Sequence, residues 1–187
     1  MPANFTEEEK ERIKQQLYQQ GYLLLKQHGM KKMKISELAK SCDIATGTFY
    51  NFFPSKKDFI INLIAKRKKE SFQAFELLVQ NYPQGIPFEE TYHYFLDNLL
   101  KDNIYQLLTQ EEYNSLLKEQ ELNKNTEEVA QYIMSKLATT KGVKEFLLFA
   151  ECYKIIIIGS SDLSKLDSQQ LEQALSSLVK SSCEILY

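Results

Sequence analysis

The chain has 187 residues, of which 43% are hydrophobic, and it carries a formal net charge of −2. This length and hydrophobic content allow a folded core without disulfides or metal sites and argue against a disordered chain. Six glycines and four prolines are too few for an all-β protein with a turn about every 8–12 residues. The sequence has no glycine-rich phosphate loop that would support a doubly wound α/β fold.

Positive charge is concentrated in the N-terminal part of the chain. Residues 1–70 contain 14 Lys and Arg against 8 Asp and Glu, whereas residues 71–187 contain 9 against 17. This asymmetry predicts a basic N-terminal module that faces a polyanion and an acidic body with another role. The alternative is that the lysines simply cover solvated helix faces.

The cysteines and the N-terminal sequence indicate a cellular compartment. Cys42, Cys152 and Cys183 are far apart and odd in number, which predicts free thiols in a reducing environment. Residues 1–10 contain no apolar segment of a signal peptide. The longest aliphatic run, residues 155–158, is too short to span a membrane. We therefore expect a cytoplasmic protein that makes no contact with membranes.

Four helices are predicted in the first eighty residues. Thr6 and Glu9 have the spacing of a capping box and start an amphipathic helix that stops near Gly29. Two short helices follow, at 35–42 and 46–52, and Pro54 ends the second of them. Ser55 begins another capping box and starts a long helix over residues 56–80.

The rest of the chain is also predicted to be helical. Residues 81–87 contain two prolines and a glycine and form a break. Helices are predicted near 87–101, 103–119, 124–139, 142–159 and 168–186. The predicted fold is all-α with about nine helices, in which a small N-terminal three-helix domain precedes a larger helical domain.

The short helices carry a specific motif. Two short helices around a tight turn are typical of a helix-turn-helix, whose second helix lies in the major groove of DNA. Residues 35–39 read ISELA and residues 43–59 read DIATGTFYNFFPSKKDF. Over residues 9–60 the chain resembles the N-terminal domain of the TetR (tetracycline-repressor) family of bacterial transcriptional regulators. The shared pattern is a small residue-Gly-Thr-apolar-Tyr run followed by an aromatic-Phe-x-Ser-Lys run.

The resemblance implies two functional domains. Residues 1–55 are expected to form a helix-turn-helix DNA-binding domain, and residues 56–187 a helical effector-binding and dimerisation domain. The helix over residues 56–80 connects the two. Three positions depart from the family pattern: Asp43 replaces the usual glycine of the turn, Lys34 replaces a Ser or Thr cap, and Phe52 replaces His or Tyr.

DNA contacts are expected from both side-chain and backbone chemistry. The hydroxyls of Thr48 and Tyr50 suit phosphate oxygens, Lys56 adds a cation at a helix N-terminus, and Gly47 leaves room for the DNA backbone. The side chains expected to face the groove, Ala45, Thr46 and Thr48, are small and methyl-bearing and include no arginine, which favours an A·T-rich half-site. The alternatives are that Tyr50 packs in the core of the small domain and that Lys56 is merely solvated. The expected contact residues are Lys34, Ser36, Ala45, Thr46, Gly47, Thr48, Tyr50, Asn51 and Lys56.

A homodimer is expected, because one short recognition helix gives too little affinity and a two-fold protein matches a palindromic operator. The last two helices are the candidates for a four-helix bundle with their symmetry mates. The alternative is that their apolar residues close the core of the subunit. The expected interface residues are Phe146, Ile157, Leu171, Leu175, Leu178 and Val179.

The body is rich in aromatic residues, and in this family such residues often line an effector pocket. An apolar cavity with a few polar groups suits a drug-like small molecule. The alternative is that each ring belongs to the core. The candidate pocket residues are Tyr92, Phe95, Tyr105, Tyr113, Tyr132, Phe149 and Tyr153.

The expected function is a ligand-responsive regulator that represses transcription from a palindromic operator and is released by a small-molecule effector. No enzyme is expected, because the two histidines and the absence of hydrolase or metal-protease motifs leave no catalytic constellation. No cofactor or metal site is expected either. The alternatives are an activator of the same fold and a helical protein-binding adaptor without sequence-specific DNA binding.

Overall fold

The computed structural model describes residues 5–101, 104–109, 111–112, 115–116, 126–160 and 167–187. Over these ranges the expected all-α architecture is confirmed, with eight α-helices and two short 3-10 helices. The α-helices are α1 (Glu7–Lys32), α2 (Ile35–Ser41), α3 (Thr46–Phe52), α4 (Lys56–Asn81), α5 (Phe88–Leu100), α6 (Thr126–Met134), α7 (Val143–Ser160) and α8 (Ser168–Cys183). The 3-10 helices are Ile104–Leu107 and Glu184–Leu186.

Helix α1 begins at the predicted residue, but at Gly29, where it was expected to stop, it is interrupted and then continues to Lys32. The Thr6 side chain accepts a hydrogen bond from the Glu9 backbone at 3.2 Å, and the Glu9 carboxylate accepts one from the Thr6 backbone at 2.8 Å. The hydrogen bonds that the Glu9 carboxylate accepts from Thr6 lower the pKa of Glu9, because they stabilise its ionised form. Gly29 has φ 70°, so regular helix geometry is interrupted there.

The turn between α2 and α3 accommodates Asp43, which replaces the glycine usual in the family, in a left-handed conformation. Asp43 has φ 54°, and it is the non-glycine residue of the described chain with a positive φ. Asp reaches this left-handed region more easily than most side chains do. The backbone N–H groups of Cys42 and Ile44 donate to the Ala39 carbonyl and close the turn.

The chain contacts divide it into one unit up to Lys68 and a second from Lys69 to Tyr187. The first unit reaches further than residue 55, because the first turns of α4 belong to its core: Phe59, Ile60, Leu63 and Ile64 are all at most 3% exposed. The functional boundary expected between residues 55 and 56 stays a prediction.

In the second unit, α6 ends five residues earlier than the predicted helix 124–139. Ile86 and Leu137 form an isolated parallel bridge, in which the Ile86 N–H donates to Lys136 at 2.8 Å and its carbonyl accepts from Ala138 at 2.9 Å. Residues 135–138 turn away from helix geometry to make these bonds. Of the predicted helix 103–119, residues 104–107 form a 3-10 helix, and residues 111–112 and 115–116 are helical. Residues 103, 110, 113–114 and 117–119 lie outside the described residues.

The second unit is held by an apolar core between α4, α5, α6, α7 and α8. Its most completely buried members are Ile86, Leu99, Ala130, Phe149, Leu175, Val179, Cys183 and Leu186. Helix α5 packs on α8, and α7 packs on both α6 and α8. The 155–158 run lies inside α7, so its helical interpretation is confirmed.

Candidate nucleic-acid interface and effector region

Helix α3 has one buried face and one exposed face. Phe49 is fully buried and Phe53, which follows the helix, is 1% exposed. Their rings pack on each other and on Phe59, with centroids 5.0–5.6 Å apart. This aromatic anchor fixes how α3 is rotated, so the opposite side of the helix must face outward.

The expected DNA contacts of α3 lie on that outward side. Thr46, Gly47, Tyr50 and Asn51 are exposed, as is Ala45 at the N-cap, and Thr48 is half-buried. Tyr50 is 48% exposed and touches only the edge of Phe49 within the first unit's aromatic cluster, so it is not a core residue. The structure therefore brings the proposed reading residues to one accessible surface.

Gly47 has no neighbour to accommodate inside the chain. A β-carbon built at this position would meet no atom within 4 Å. Close packing between helices is therefore not the reason for a glycine here. Space for a molecule outside the chain remains the explanation that the sequence suggested.

The start of α2 carries the other expected contacts. Lys34 is the N-cap and makes no capping hydrogen bond with its side chain, as expected for a residue that replaces Ser or Thr. Lys34 and Ser36 are both exposed, and so are Lys31 and Lys32 just before them. These side chains form a cationic edge beside the helix-turn-helix.

Lys56 is placed differently from the expectation of a solvent-facing cation. Its Nζ atom donates to the backbone carbonyls of Met30 at 2.9 Å, Met33 at 3.2 Å and Lys31 at 3.4 Å. These carbonyls belong to the last turn of α1 and to its C-cap, Met33. No local sequence pattern indicates this contact, because 23–26 residues separate the partners.

An open groove of about 520 Å³ lies beside the N-terminus of α3. It brings Arg12 of α1 to the same surface as Ala45 and Thr48. No sequence pattern pointed to Arg12, since nothing in the spacing relates the first turns of α1 to α3. The other lining residues are Phe5, Ile13, Gln16, Cys42, Asp43 and Ile44.

Three of the expected pocket residues meet in the second unit. The rings of Phe95, Phe149 and Tyr153 pack together, with centroids 4.5–5.6 Å apart. The Tyr153 hydroxyl donates to the Phe95 carbonyl at 2.7 Å, and burial raises the pKa of Tyr153 far above its usual value. The hydroxyl therefore stays neutral and acts as a donor.

The remaining expected pocket residues lie elsewhere. Tyr132 packs against Phe72 and Phe75 and donates to Glu76 at 2.6 Å. Tyr92 is 8% exposed and shares a 2.7 Å hydrogen bond with Ser176 of α8, so it belongs to the α5–α8 packing. Tyr113 and the side chain of Tyr105 lie outside the described residues.

The Tyr132 group and the Phe95 group are joined by further rings. Phe75 of α4 packs on Tyr94 at 5.6 Å, and Tyr94 contacts Phe95 at 5.0 Å. Tyr94 also shares a 2.8 Å hydrogen bond with the Ser71 hydroxyl. The result is a continuous aromatic cluster that connects α4, α5, α6 and α7.

The expected dimer residues divide into buried and exposed sets. Leu175, Val179 and Phe146 are 1%, 0% and 8% exposed within the single chain, so they have almost no surface to offer a partner. Ile157 and Leu171 are half-buried, and Leu178 is 49% exposed. The alternative reading, in which such residues close the core of the subunit, describes the buried set.

The most exposed apolar residues of α7 were not among the expected dimer residues. Leu147, Leu148 and Ile155 are 39%, 58% and 68% exposed. Because α7 is apolar around most of its circumference, periodicity alone does not distinguish its inner face from its outer face.

The described residues give no indication of a metal site or a membrane span. No group of three or more His, Cys, Asp or Glu residues in these ranges is arranged to hold a metal ion. No described helix is long and apolar enough to cross a membrane. The three cysteines are free thiols, and burial raises the pKa of both Cys42 and Cys183.

Comparisons with known proteins agree with the helix-turn-helix. The family model for bacterial regulatory proteins of the tetR family matches residues 15–63. A Haemophilus influenzae protein described as an HTH-type transcriptional regulator is 25% identical over 177 residues, which cover 91% of this chain and 93% of that protein.

The whole chain also shares its fold with a solved structure. The crystal structure of the transcriptional regulator FadR from Bacillus subtilis in complex with stearoyl-CoA matches with a TM-score of 0.56 at 18% identity, over 92% of this chain and 96% of that chain. At this level of sequence identity, the match shows that the two chains share a fold and no more. The family match over residues 15–63, the named relative and the shared fold together support a transcriptional regulator of the TetR type.

Proposed function

We propose that this regulator is a repressor that binds a palindromic operator as a homodimer and leaves it when a small-molecule effector binds. The observation that carries the proposal is the division of α3 into a buried aromatic face and an exposed polar face. Phe49 anchors the first, while Thr46, Tyr50 and Asn51 occupy the second. A helix held in this way presents its reading residues at a fixed angle to the major groove.

On this proposal the exposed residues have two kinds of contact with DNA. Tyr50, Ser36 and Lys34 bind phosphates and set the register. Ala45, Thr46 and Thr48 face base edges, where their methyl groups suit thymine. Asn51 binds a base or a phosphate, and Gly47 allows the DNA backbone to approach. Arg12 adds a cation at the groove beside α3.

The homodimer is proposed to form through α7 and α8. Leu148 and Ile155 lie seven residues apart on α7 and therefore on one side of it, and Leu178 is exposed on the helix that packs against α7. On this proposal the three residues form one exposed apolar patch, and such patches mark interaction surfaces. A two-fold axis through such a patch buries it against its own copy and matches the symmetry of a palindrome.

The effector is proposed to bind at the aromatic cluster of α4–α7. Its tyrosine hydroxyls already have hydrogen-bond partners within the chain, so the rings offer mainly apolar contact. We expect the inserted part of the effector to be apolar and uncharged, because burying an unpaired charge among these rings is unfavourable. FadR of Bacillus subtilis, which shares the fold, was crystallised with stearoyl-CoA, a ligand with a long apolar chain.

Release from the operator follows from linked equilibria. An effector that prefers the conformer with low DNA affinity shifts the population toward it by as much as its two affinities differ. An activator would use the same contacts on DNA but recruit the transcription machinery. The repressor acts in the cytoplasm, where bacterial DNA lies, and we propose no catalytic activity for it.

Selection of bound duplexes from a random DNA pool tests the proposal. We expect an enriched site with two inverted half-sites separated by about one helical turn or a multiple of it. Affinity for that site should fall steeply with salt concentration. A protein-binding adaptor would enrich no sequence and show no salt-dependent affinity, and that result would reject the proposal. Transcription in vitro from a promoter that contains the site separates repression from activation.

A further inference from the structure

We infer that Lys56 supports DNA binding as a positioning residue, by tying the last turn of α1 to the first turn of α4. The inference rests on the proposed function for its DNA readout and on the contacts of Lys56 for its mechanism. It assigns to Lys56 a role other than direct phosphate binding.

The last turn of α1 needs hydrogen-bond donors. Helices end with carbonyl groups that no longer have a backbone partner in the helix. Gly29 interrupts the helix, and in the turn that follows it the Met33 N–H donates to the Gly29 carbonyl at 3.1 Å. The carbonyls of Met30, Lys31 and Met33 then converge on one point.

Lys56 occupies that point with matching chemistry. Its ammonium group has three N–H donors, and the structure gives it three carbonyl acceptors at 2.9, 3.2 and 3.4 Å. A cation is also favoured at the negative C-terminal end of a helix. With all three donors engaged, the group must release a carbonyl before it can bind a phosphate.

The backbone of Lys56 is itself held in place. Ser55 accepts a hydrogen bond from the Asp58 backbone at 3.1 Å and donates to the Asp58 carboxylate at 2.7 Å. Phe59, one turn further along α4, is fully buried. The side chain of Lys56 therefore extends from a fixed helix start, and its partners are fixed in turn.

The tied turn carries the cationic edge of the domain. Lys31, Lys32 and Lys34 are exposed around the buried Met33, whose side chain is 2% exposed. If Lys56 holds the backbone of this turn, it also determines where those three charges lie relative to α3. Lys56 then acts on DNA through its neighbours.

Three variants of the full-length chain separate positioning from direct contact. Lys56→Met removes both the charge and the donors, whereas Lys56→Arg keeps the charge but presents a planar fork that does not reproduce three donors on one atom. Lys57→Met is the matched control, since it removes a neighbouring charge from the same turn of α4. Lys34→Ala provides the reference for loss of an expected phosphate contact.

Two measurements are made on each variant. The first is the salt dependence of affinity for a duplex enriched by selection and for a scrambled duplex of equal length. The second is hydrogen exchange of the backbone amides in residues 30–38. For Lys56→Met we expect faster exchange in this segment and about tenfold weaker binding to both duplexes. Lys56→Arg should bind as weakly as Lys56→Met.

A direct phosphate contact gives the opposite pattern. Lys56→Met would then flatten the salt slope by about two per dimer without faster exchange in residues 30–38, and Lys56→Arg would bind like the wild type. Either result, or unchanged hydrogen exchange in Lys56→Met, overturns the inference. If the wild-type chain binds neither duplex, the proposed function fails, and the exchange measurement alone decides whether Lys56 holds the turn.

Discussion

Gly21 of α1 and Phe59 of α4 approach so closely that the missing side chain of one makes room for the ring of the other. A β-carbon at position 21 would lie 2.3 Å from Cζ and 2.6 Å from Cε1 of Phe59. The ring is fully buried and packs against Tyr18, Phe49 and Phe53, so it has little freedom to move aside. Gly21 thus sets how near α1 lies to α4, and with it the support behind α3.

Gly21→Ala should therefore destabilise the N-terminal unit although alanine favours helices. Overpacking of a tight core typically costs about 1–3 kcal/mol, and urea unfolding of the variant measures it. Gly159→Ala is the matched control, because a β-carbon there would meet no atom within 4 Å. Equal stability of Gly21→Ala and wild type would mean that Phe59 repacks freely, contrary to this account.

Asp43→Gly should stabilise the same unit. Asp43 holds φ at 54°, a region where a β-carbon is unfavourable and glycine is not. The gain is expected to be at most about 1 kcal/mol, because glycine also increases the entropy of the unfolded chain. Asp43→Val should have the opposite effect, since β-branched residues avoid this region most strongly. Thermal unfolding of both variants checks the prediction, and a loss of stability in Asp43→Gly would refute it.

Charges introduced on α7 should separate the proposed dimer. In a Leu148→Glu, Ile155→Glu double variant, two carboxylates would be buried at the interface without partners, at a cost of several kcal/mol. Sedimentation should show a folded monomer that has lost operator binding. Leu77→Glu, at a 59% exposed position on α4, is the control and should remain a dimer.

The same experiment distinguishes this interface from the one expected from sequence. Leu175 is 1% exposed inside its own chain, so Leu175→Glu should unfold the second unit rather than yield a folded monomer. Circular dichroism of the two variants separates these outcomes. A dimeric double variant on α7 would place the interface elsewhere.

Alkaline pH should weaken the second unit through Cys183. Burial raises the pKa of this thiol to about 12, whereas a thiol in an unfolded chain titrates near 8.5. Because the folded pKa is the higher one, stability is complete below about pH 8.5 and falls as the pH rises toward 12. Between pH 8 and pH 10 the thiol should remove about 1–2 kcal/mol from the free energy of unfolding.

Urea unfolding at both pH values, with Cys183→Ala as the reference, isolates this contribution from that of the tyrosines. The wild type should lose more stability than Cys183→Ala between pH 8 and pH 10. Equal losses would show that the thiol ionises as readily in the folded chain as in the unfolded one.

Local sequence signals predicted the N-terminal unit well. Thr6 and Glu9 marked the start of α1 and Gly29 its interruption, because caps and left-handed glycines act within one or two turns. The motif also placed the expected reading residues on α3, where Phe49 holds the opposite side of the helix in the core. These signals depend only on neighbours in the chain.

Contacts between distant segments were beyond such signals. Lys56 meets the end of α1 across more than twenty residues, and Arg12 reaches the surface of α3 only through the fold. The inner and outer faces of α7 were not distinguished, because Phe149 and Leu148 are equally apolar and only packing determines which is buried. The sequence therefore identified which helices matter more reliably than which of their residues face a partner.

Reading and positioning on DNA should separate in the variants Thr46→Ala and Tyr50→Phe. Thr46 is exposed at the start of α3 and is assigned to a base edge, so Thr46→Ala should weaken binding to the selected operator by about 1 kcal/mol and relax the preference at one base pair in each half-site. Tyr50 is assigned to a phosphate, so Tyr50→Phe should weaken the operator and a scrambled duplex by the same factor.

Neither variant removes a charge, so the salt slope of both should equal that of the wild type, whereas Arg12→Ala should flatten it if Arg12 binds a phosphate. Lys14→Ala is the control for Arg12→Ala. Lys14 is a cation of the same helix whose Nζ atom lies 6.0 Å from the centroid of the Tyr18 ring, and it does not line the groove. Titrations of both duplexes at several salt concentrations give all these quantities. A change of base preference in Tyr50→Phe, together with an unchanged preference in Thr46→Ala, would show that α3 enters the groove rotated from the orientation argued here.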